Sequence, residues 1–192
     1  TGEEDFTGTK SYSSARNVPF PFNESVRSQR MQWHYNNTGN VYANSTVAGA
    51  DADVYAAWQL CTGNPDVIVA VDQGVKYDHE DLAANMWTNK GEIPGNGIDD
   101  DGNGYIDDVN GYNFTDNNGH LTFSSENMHG THVAGTIAAV NNNGIGVNGI
   151  AGGSGNGDGV RIMSCETLGT SESGNSGGGL GAQVRAIKYA AD

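Results

Sequence analysis

His129-Gly130-Thr131-His132-Val133-Ala134-Gly135-Thr136 opens a helix whose small residues, continued by Ala138 and Ala139, suit close packing against a sheet. Upstream, Val67-Ile68-Val69-Ala70-Val71-Asp72 is apolar on both faces and reads as a buried parallel strand. Gly74 then turns the chain away. In open α/β sheets the reactive groups collect outside the carboxyl ends of the strands, which is where this pattern puts Asp72. A carboxylate there can fix one tautomer of an imidazole and stabilise its cation, so that His129 becomes a general base for a hydroxyl nucleophile. Alone, either residue reads as well as a core histidine or a turn aspartate.

Taken together, Val69-Ala70-Val71-Asp72-Gln73-Gly74-Val75 and His129-Gly130-Thr131-His132-Val133-Ala134-Gly135 resemble the Asp and His motifs of the subtilisin-like serine proteases, or subtilases. Their order matches the Asp, His, Ser order of that family. The likeness extends over most of residues 22 to 191. It takes in Gln32-Trp33-His34-Tyr35-Asn36-Asn37-Thr38-Gly39, Ala56-Ala57-Trp58 and Glu80-Asp81-Leu82-Ala83-Ala84-Asn85-Met86-Trp87. It implies an α/β fold with a doubly wound, mostly parallel sheet of subtilisin type, incomplete in this chain. It further implies that Asp72 and His129 are triad members and that His132, one turn on, is structural. Two departures stand out. The family carries Thr or Ser after its catalytic Asp, where this chain has Gln73. Its serine motif, a Gly-Thr-Ser-Met-Ala-type run opening a later helix, occurs nowhere in the 192 residues, and its oxyanion-hole Asn is missing too. Gly169-Thr170-Ser171 shares letters with that motif but comes too early, without an apolar helix behind it.

A chain of this length could bury one core. The resemblance makes it instead the N-terminal part of a longer catalytic domain: residues 1–21 as a linker or pro-segment remnant, residues 22–192 as domain. Asp53 to Leu60 reads as a short helix with Val54, Ala57 and Trp58 inward, the helix of His129 runs to about Val140, and Val160 to Leu168 forms the next strand. Ala182 to Ala191 places Val184, Ile187 and Ala191 on one helical face and stops without a Gly or Pro signal, so a C-terminal remainder of the same protease is the expected partner. Cys61 and Cys165 are too few for a disulfide framework and read as free thiols. With 23 acidic against 9 basic residues, the net charge of -14 argues against nucleic acid and anionic membrane as partners. No apolar run approaches a membrane span. Acidic excess with 29 glycines suits a secreted or cell-envelope protein, extracellular or periplasmic.

Asp99-Asp100-Asp101-Gly102-Asn103-Gly104-Tyr105-Ile106-Asp107 alternates oxygen side chains with Gly at the sixth place, as an EF-hand-like loop does. Asp99, Asp101, Asn103, the Tyr105 carbonyl and Asp107 are candidate calcium ligands, with Asp108 completing the set because Asn110 stands at the twelfth place. So many carboxylates repel one another unless a cation lies among them. A second calcium site is implied only by the resemblance. It would combine Asp81 with the loop Val140-Asn141-Asn142-Asn143-Gly144-Ile145-Gly146-Val147, through an Asn142 or Asn143 amide and the carbonyls of Val140, Ile145 and Val147. Likewise implied is a substrate-pairing edge at Ser176, Gly177 and Gly178. The reading is a calcium-stabilised serine endopeptidase acting on polypeptides. Its rival is a calcium-stabilised binding module or inactive homologue that has lost the nucleophile.

Overall fold

The structure is a computed structural model that describes residues 19–39, 47–123, 128–168 and 178–192. It divides into two compact units, one built from Val26–Cys61 with the chain up to Pro21, the other from Phe22–Ser25 with Thr62–Asp192.

The first unit holds helix α1 (Val26–Met31), a 3-10 turn at Trp33–Tyr35 and helix α2 (Val54–Trp58). Its small core is aromatic: Tyr35 meets Trp58 edge to face, and Tyr55 stacks on Trp58. The inward face of α2 is therefore Val54, Tyr55 and Trp58, whereas Ala57, assigned inward from the sequence, is exposed. A tyrosine at the next position buries far more apolar surface than an alanine and turns the helix accordingly.

In the second unit, strand β1 (Ile68–Gln73), strand β2 (Gly111–Asn113) and strand β3 (Arg161–Leu168) form a parallel sheet in the order β1-β3-β2. Helix α3 (His129–Ala138) links β1 to β3 across one face, and helix α4 (Gly179–Ala191) covers the other. This is an α/β arrangement with helices on both sides of a parallel sheet, part of a subtilisin-type fold. Side-chain alternation along β3 feeds both layers: Ile162 packs with Val71, Ala134 and Ala138, while Met163 and Cys165 pack with Tyr112, Phe114, Ala182 and Ala186.

Three details differ from the sequence reading. Among the described residues strand β1 lies at the edge of the sheet, and although Val71 is buried, Ile68, Ala70 and Asp72 are exposed, so it is not buried on both faces. Helix α4 buries Ala182, Ala186 and Tyr189, leaving Val184 and Ile187 exposed. The aromatic cluster of Tyr105, Tyr112 and Phe114 selects the face with Tyr189 over the aliphatic one. Strand β2 follows directly on the acidic stretch from Asp99 to Asp108. At three residues it is too short to show a period, and Gly111 (φ +122) begins it with backbone so close to Ser164 that a Cβ would lie 2.0 Å from that carbonyl oxygen.

Both cysteines are free, Cys61 exposed and Cys165 buried. Among the described residues no helix is long and apolar enough to cross a membrane.

Candidate active site

The carboxyl end of β1 and the amino end of α3 meet through main-chain packing. A Cβ on Gly130 would lie 2.6 Å from the Gly74 carbonyl oxygen and 2.8 Å from Gln73 Cβ, so the first turn of α3 rests directly on this bend. Lys76 N–H donates to Thr131 Oγ1 at 2.9 Å, tying the chain after the bend to the same turn. The result is an exposed His129 at the first position of α3, beside the end of the sheet.

Asp72 and Gln73 leave β1 on opposite faces. The register against β3 breaks between them: β1 advances two residues from Val71 to Gln73 while β3 advances four, from Ser164 to Leu168. Asp72 projects to the α4 side and lines a cavity of about 320 Å³ with Ala70, Cys165, Thr167, Gln183, Ala186 and Ile187. Gln73 projects to the α3 side, where its Oε1 lies 2.5 Å from His129 Nδ1. Asp72 makes no hydrogen bond to His129 here, and no described residue takes His129 Nε2. The Asp72 carbonyl accepts from Thr167 Oγ1 at 3.3 Å. Cys165, on the cavity wall, is no rival nucleophile, because burial pushes its thiol up to about 12. His132, expected to be structural, is exposed on the next turn. Among the described residues no cluster of metal-ligating groups includes it.

Around the EF-hand-like loop, Asp99, Asp101 and Glu92 bring one carboxylate oxygen each within 4.8 Å of one another. Glu92 escaped the sequence reading. It sits seven residues before the loop and outside its alternation, and only the folded chain returns it to the centre. It is buried, with Oε1 accepting from Asp100 N–H at 2.9 Å and Oε2 from Asp107 N–H at 2.9 Å. Asp99 accepts from the N–H groups of Gly102, Asn103 and Gly104, and Asn103 Oδ1 from Tyr105 N–H. The other candidates are drawn elsewhere. Asp107 caps the N–H groups of Asn96 and Gly97, and Asp108, fully buried, accepts from the Tyr189 hydroxyl at 2.6 Å and from Asn89 and Asn103. The donors that converge are all oxygens and three are carboxylates, the chemistry that fits a hard divalent cation.

Of the second set, Asp81 and the loop from Val140 to Val147 come together, through N–H groups of the loop rather than its carbonyl oxygens. Asp81 Oδ1 accepts from Asn143 Nδ2 at 2.8 Å and Oδ2 from Val147 N–H at 2.9 Å, and the Asp81 carbonyl accepts from Val140 N–H. Burial, the largest influence, holds the Asp81 carboxyl above its ordinary range, partly offset by those two hydrogen bonds. Asn142 turns away, its amide donating to the Ser154 carbonyl, so Asn143 is the amide at the site, while Ile145 N–H binds Asn143 Oδ1. Glu24, absent from the sequence reading, reaches the same loop and accepts from Asn143 N–H at 3.1 Å. No local pattern marks Glu24, which is 119 residues away in the chain.

Ser176 and Gly177 lie outside the described residues. Gly178 precedes α4, its N–H bound to the Thr167 carbonyl at 3.0 Å. A Cβ there would meet Ala182 Cβ at 2.4 Å, so glycine is required for entry into the helix.

The family model described as the subtilase family matches residues 64–186, a span that includes β1, both calcium candidates, α3 and β3. The subtilisin-like protease 1 of Plasmodium vivax is 42% identical over 123 residues, which is 64% of this chain and 18% of that protein. Halolysin of Haloferax mediterranei is 34% identical over 110 residues, 56% of this chain and 17% of its own length. An extracellular basic protease of Dichelobacter nodosus is 36% identical over 135 residues, 65% of this chain and 20% of the protease. The chain thus spans a fifth or less of these curated relatives. Since the matched span covers well over half of the chain and contains both the strand-end carboxylate and the helix that begins with His129, the chain belongs to the subtilase family.

Proposed function

We infer that this chain supplies the acid-base half of a secreted, calcium-stabilised serine endopeptidase that cleaves polypeptides. His129 takes the proton from a serine hydroxyl as it attacks the peptide carbonyl and returns it to the leaving amine. Asp72 supplies negative charge at the end of β1 that favours the imidazolium formed in between. The carrying observation is the exposed His129 imidazole at the start of α3, held at Nδ1 with Nε2 directed to no described protein group. That is the arrangement a general base requires. The subtilase match and the relatives named as proteases support the reaction class, and the relative named as extracellular supports secretion. Residues 1–21 act as a segment preceding the domain, and a C-terminal part of the same protease carries the serine and the oxyanion-hole Asn.

Calcium, when bound, neutralises clustered carboxylates and clamps loops that are distant in sequence. Glu92, Asp99 and Asp101 would hold one ion, with Asn103, Tyr105, Asp107 and Asp108 shaping the loop around it. Asp81 and Asn143, with the carbonyls of Val140, Ile145 and Val147, would hold another. Ser176, Gly177 and Gly178 would lie along the substrate. The test is hydrolysis of a denatured protein substrate by the full-length protein. Cleavage that disappears in His129→Ala without a change in the far-ultraviolet spectrum supports the reading, and cleavage that survives that change refutes it.

A further inference from the structure

We propose that Glu166, a carboxyl buried near the end of β3, is a positioning residue for the catalytic pair: it holds Thr122 against Gly74 and so fixes the bend that joins Asp72 to the start of α3. This rests on the reading of Asp72 and His129 as that pair and adds what keeps them in place. Alternation turns Ile162, Ser164 and Glu166 to the α3 face of the sheet, where a central strand ordinarily carries apolar side chains. Ile162 keeps that pattern and the other two break it, so the face turns polar toward the carboxyl end of the strand while staying buried. Both polar groups work on the chain around the bend. Ser164 Oγ donates to the Gln73 carbonyl at 3.1 Å and accepts from Val75 N–H at 3.3 Å. Glu166 takes its two carboxyl bonds from a single residue, Oε2 accepting from Thr122 N–H at 2.8 Å and Oε1 pairing with the Thr122 hydroxyl.

Thr122 lies in no helix or strand, yet its main chain rests on the bend. A Cβ on Gly74 would lie 1.7 Å from the Thr122 carbonyl oxygen and 3.2 Å from Glu166 Oε2. Gly74 also meets α3, since a Cβ on Gly130 would come within 2.6 Å of the Gly74 carbonyl oxygen. The bend after Asp72 therefore touches both Thr122 and the first turn of α3, and Glu166 fixes the first of these neighbours. Burying a carboxyl is costly, and burial does raise this one above its ordinary range, partly offset by the bonds from Thr122. Either protonation state serves the clamp. The carboxylate accepts both bonds, whereas the neutral acid accepts from the N–H and donates to the hydroxyl. A carboxamide can do the same, so the clamp needs two polar atoms and not a charge.

Peptide hydrolysis and hydrogen exchange at the Thr122 amide, both in the full-length protein, test this. Glu166→Met keeps the unbranched length and removes both polar atoms. It is expected to speed exchange at Thr122 by on the order of tenfold. It is also expected to lower kcat by on the order of tenfold with KM little changed, because a loosened bend misplaces the reacting groups. Glu166→Gln is expected to restore both values. A wild-type kcat in Glu166→Met, an effect confined to KM, or a loss of kcat that Glu166→Gln does not restore would overturn the proposal. Should Glu166→Met fail to fold, Thr122→Val, which keeps the shape and removes the hydroxyl, is expected to move exchange and kcat in the same directions, and wild-type values of both would overturn the proposal. A wild type that hydrolyses no peptide would defeat the protease reading instead, and faster exchange in Glu166→Met would then still support the clamp.

Discussion

One peptide bond separates Asp72 from Gln73, yet their side chains reach opposite sides of the sheet, and only Gln73 touches the imidazole. The types of these residues were legible in the sequence. Their opposite directions follow from strand alternation, which puts Val69, Val71 and Gln73 on one face and Ala70 and Asp72 on the other, but which of these faces meets α3 was not legible, because packing with residues far along the chain decides it. The two histidines of the motif separate in the same way. Both are exposed, but the ring of His129 is bonded, whereas His132 is engaged through its main-chain carbonyl, which accepts from Thr136 Oγ1. His132→Ala is therefore expected to change stability by less than about 0.5 kcal/mol, as surface substitutions usually do. Denaturant unfolding of the full-length protein checks this, and a loss several times larger would restore the structural role that the family resemblance implied.

At the scale of elements, the strands ending in Asp72 and Leu168 and the helix beginning at His129 were readable because their apolar runs are bounded by Gly or polar residues. The face each element buries was harder to read, since α4 offers both an aliphatic stripe and Ala182, Ala186 and Tyr189, and partners from remote loops choose between them. The turn between α3 and β3 gives an element-scale prediction. Ser154 N–H donates to Asp158 Oδ1 at 2.7 Å, and this bond is the main reason the Asp158 carboxyl lies below its ordinary value of 3.8. Because its folded-state value is depressed, the stabilisation is present above the unfolded value and is lost as pH falls through the folded one. Asp158→Ala should thus cost on the order of 1 kcal/mol at neutral pH, and the difference from wild type should shrink as pH falls below 3.8. Chemical denaturation at several pH values measures it, and a penalty independent of pH would show that the charge contributes nothing.

At the scale of the whole molecule, two ordered motifs with matching flanks made the family legible. Sets of oxygen ligands were only half legible, because Glu92 and Glu24 join them by long-range folding. A cation among Glu92, Asp99 and Asp101 would stabilise the folded protein by about 2.7 kcal/mol at a free concentration one hundred times its dissociation constant. For a domain of this size that is a rise in Tm of about 5–10 °C. Removing calcium with a chelator should lower Tm by that amount, and Asp101→Asn should reduce the drop. A Tm indifferent to chelator and to added calcium would remove calcium from the account.

In the proposed function His129 activates a serine hydroxyl. A fluorophosphonate probe reports that activation directly, because it bonds covalently only to a serine whose proton is being taken. In the full-length protein, one labelled serine is expected, with labelling lost in His129→Ala and kept in His132→Ala. Equal labelling of the wild type and His129→Ala, or none in a correctly folded wild type, would contradict it.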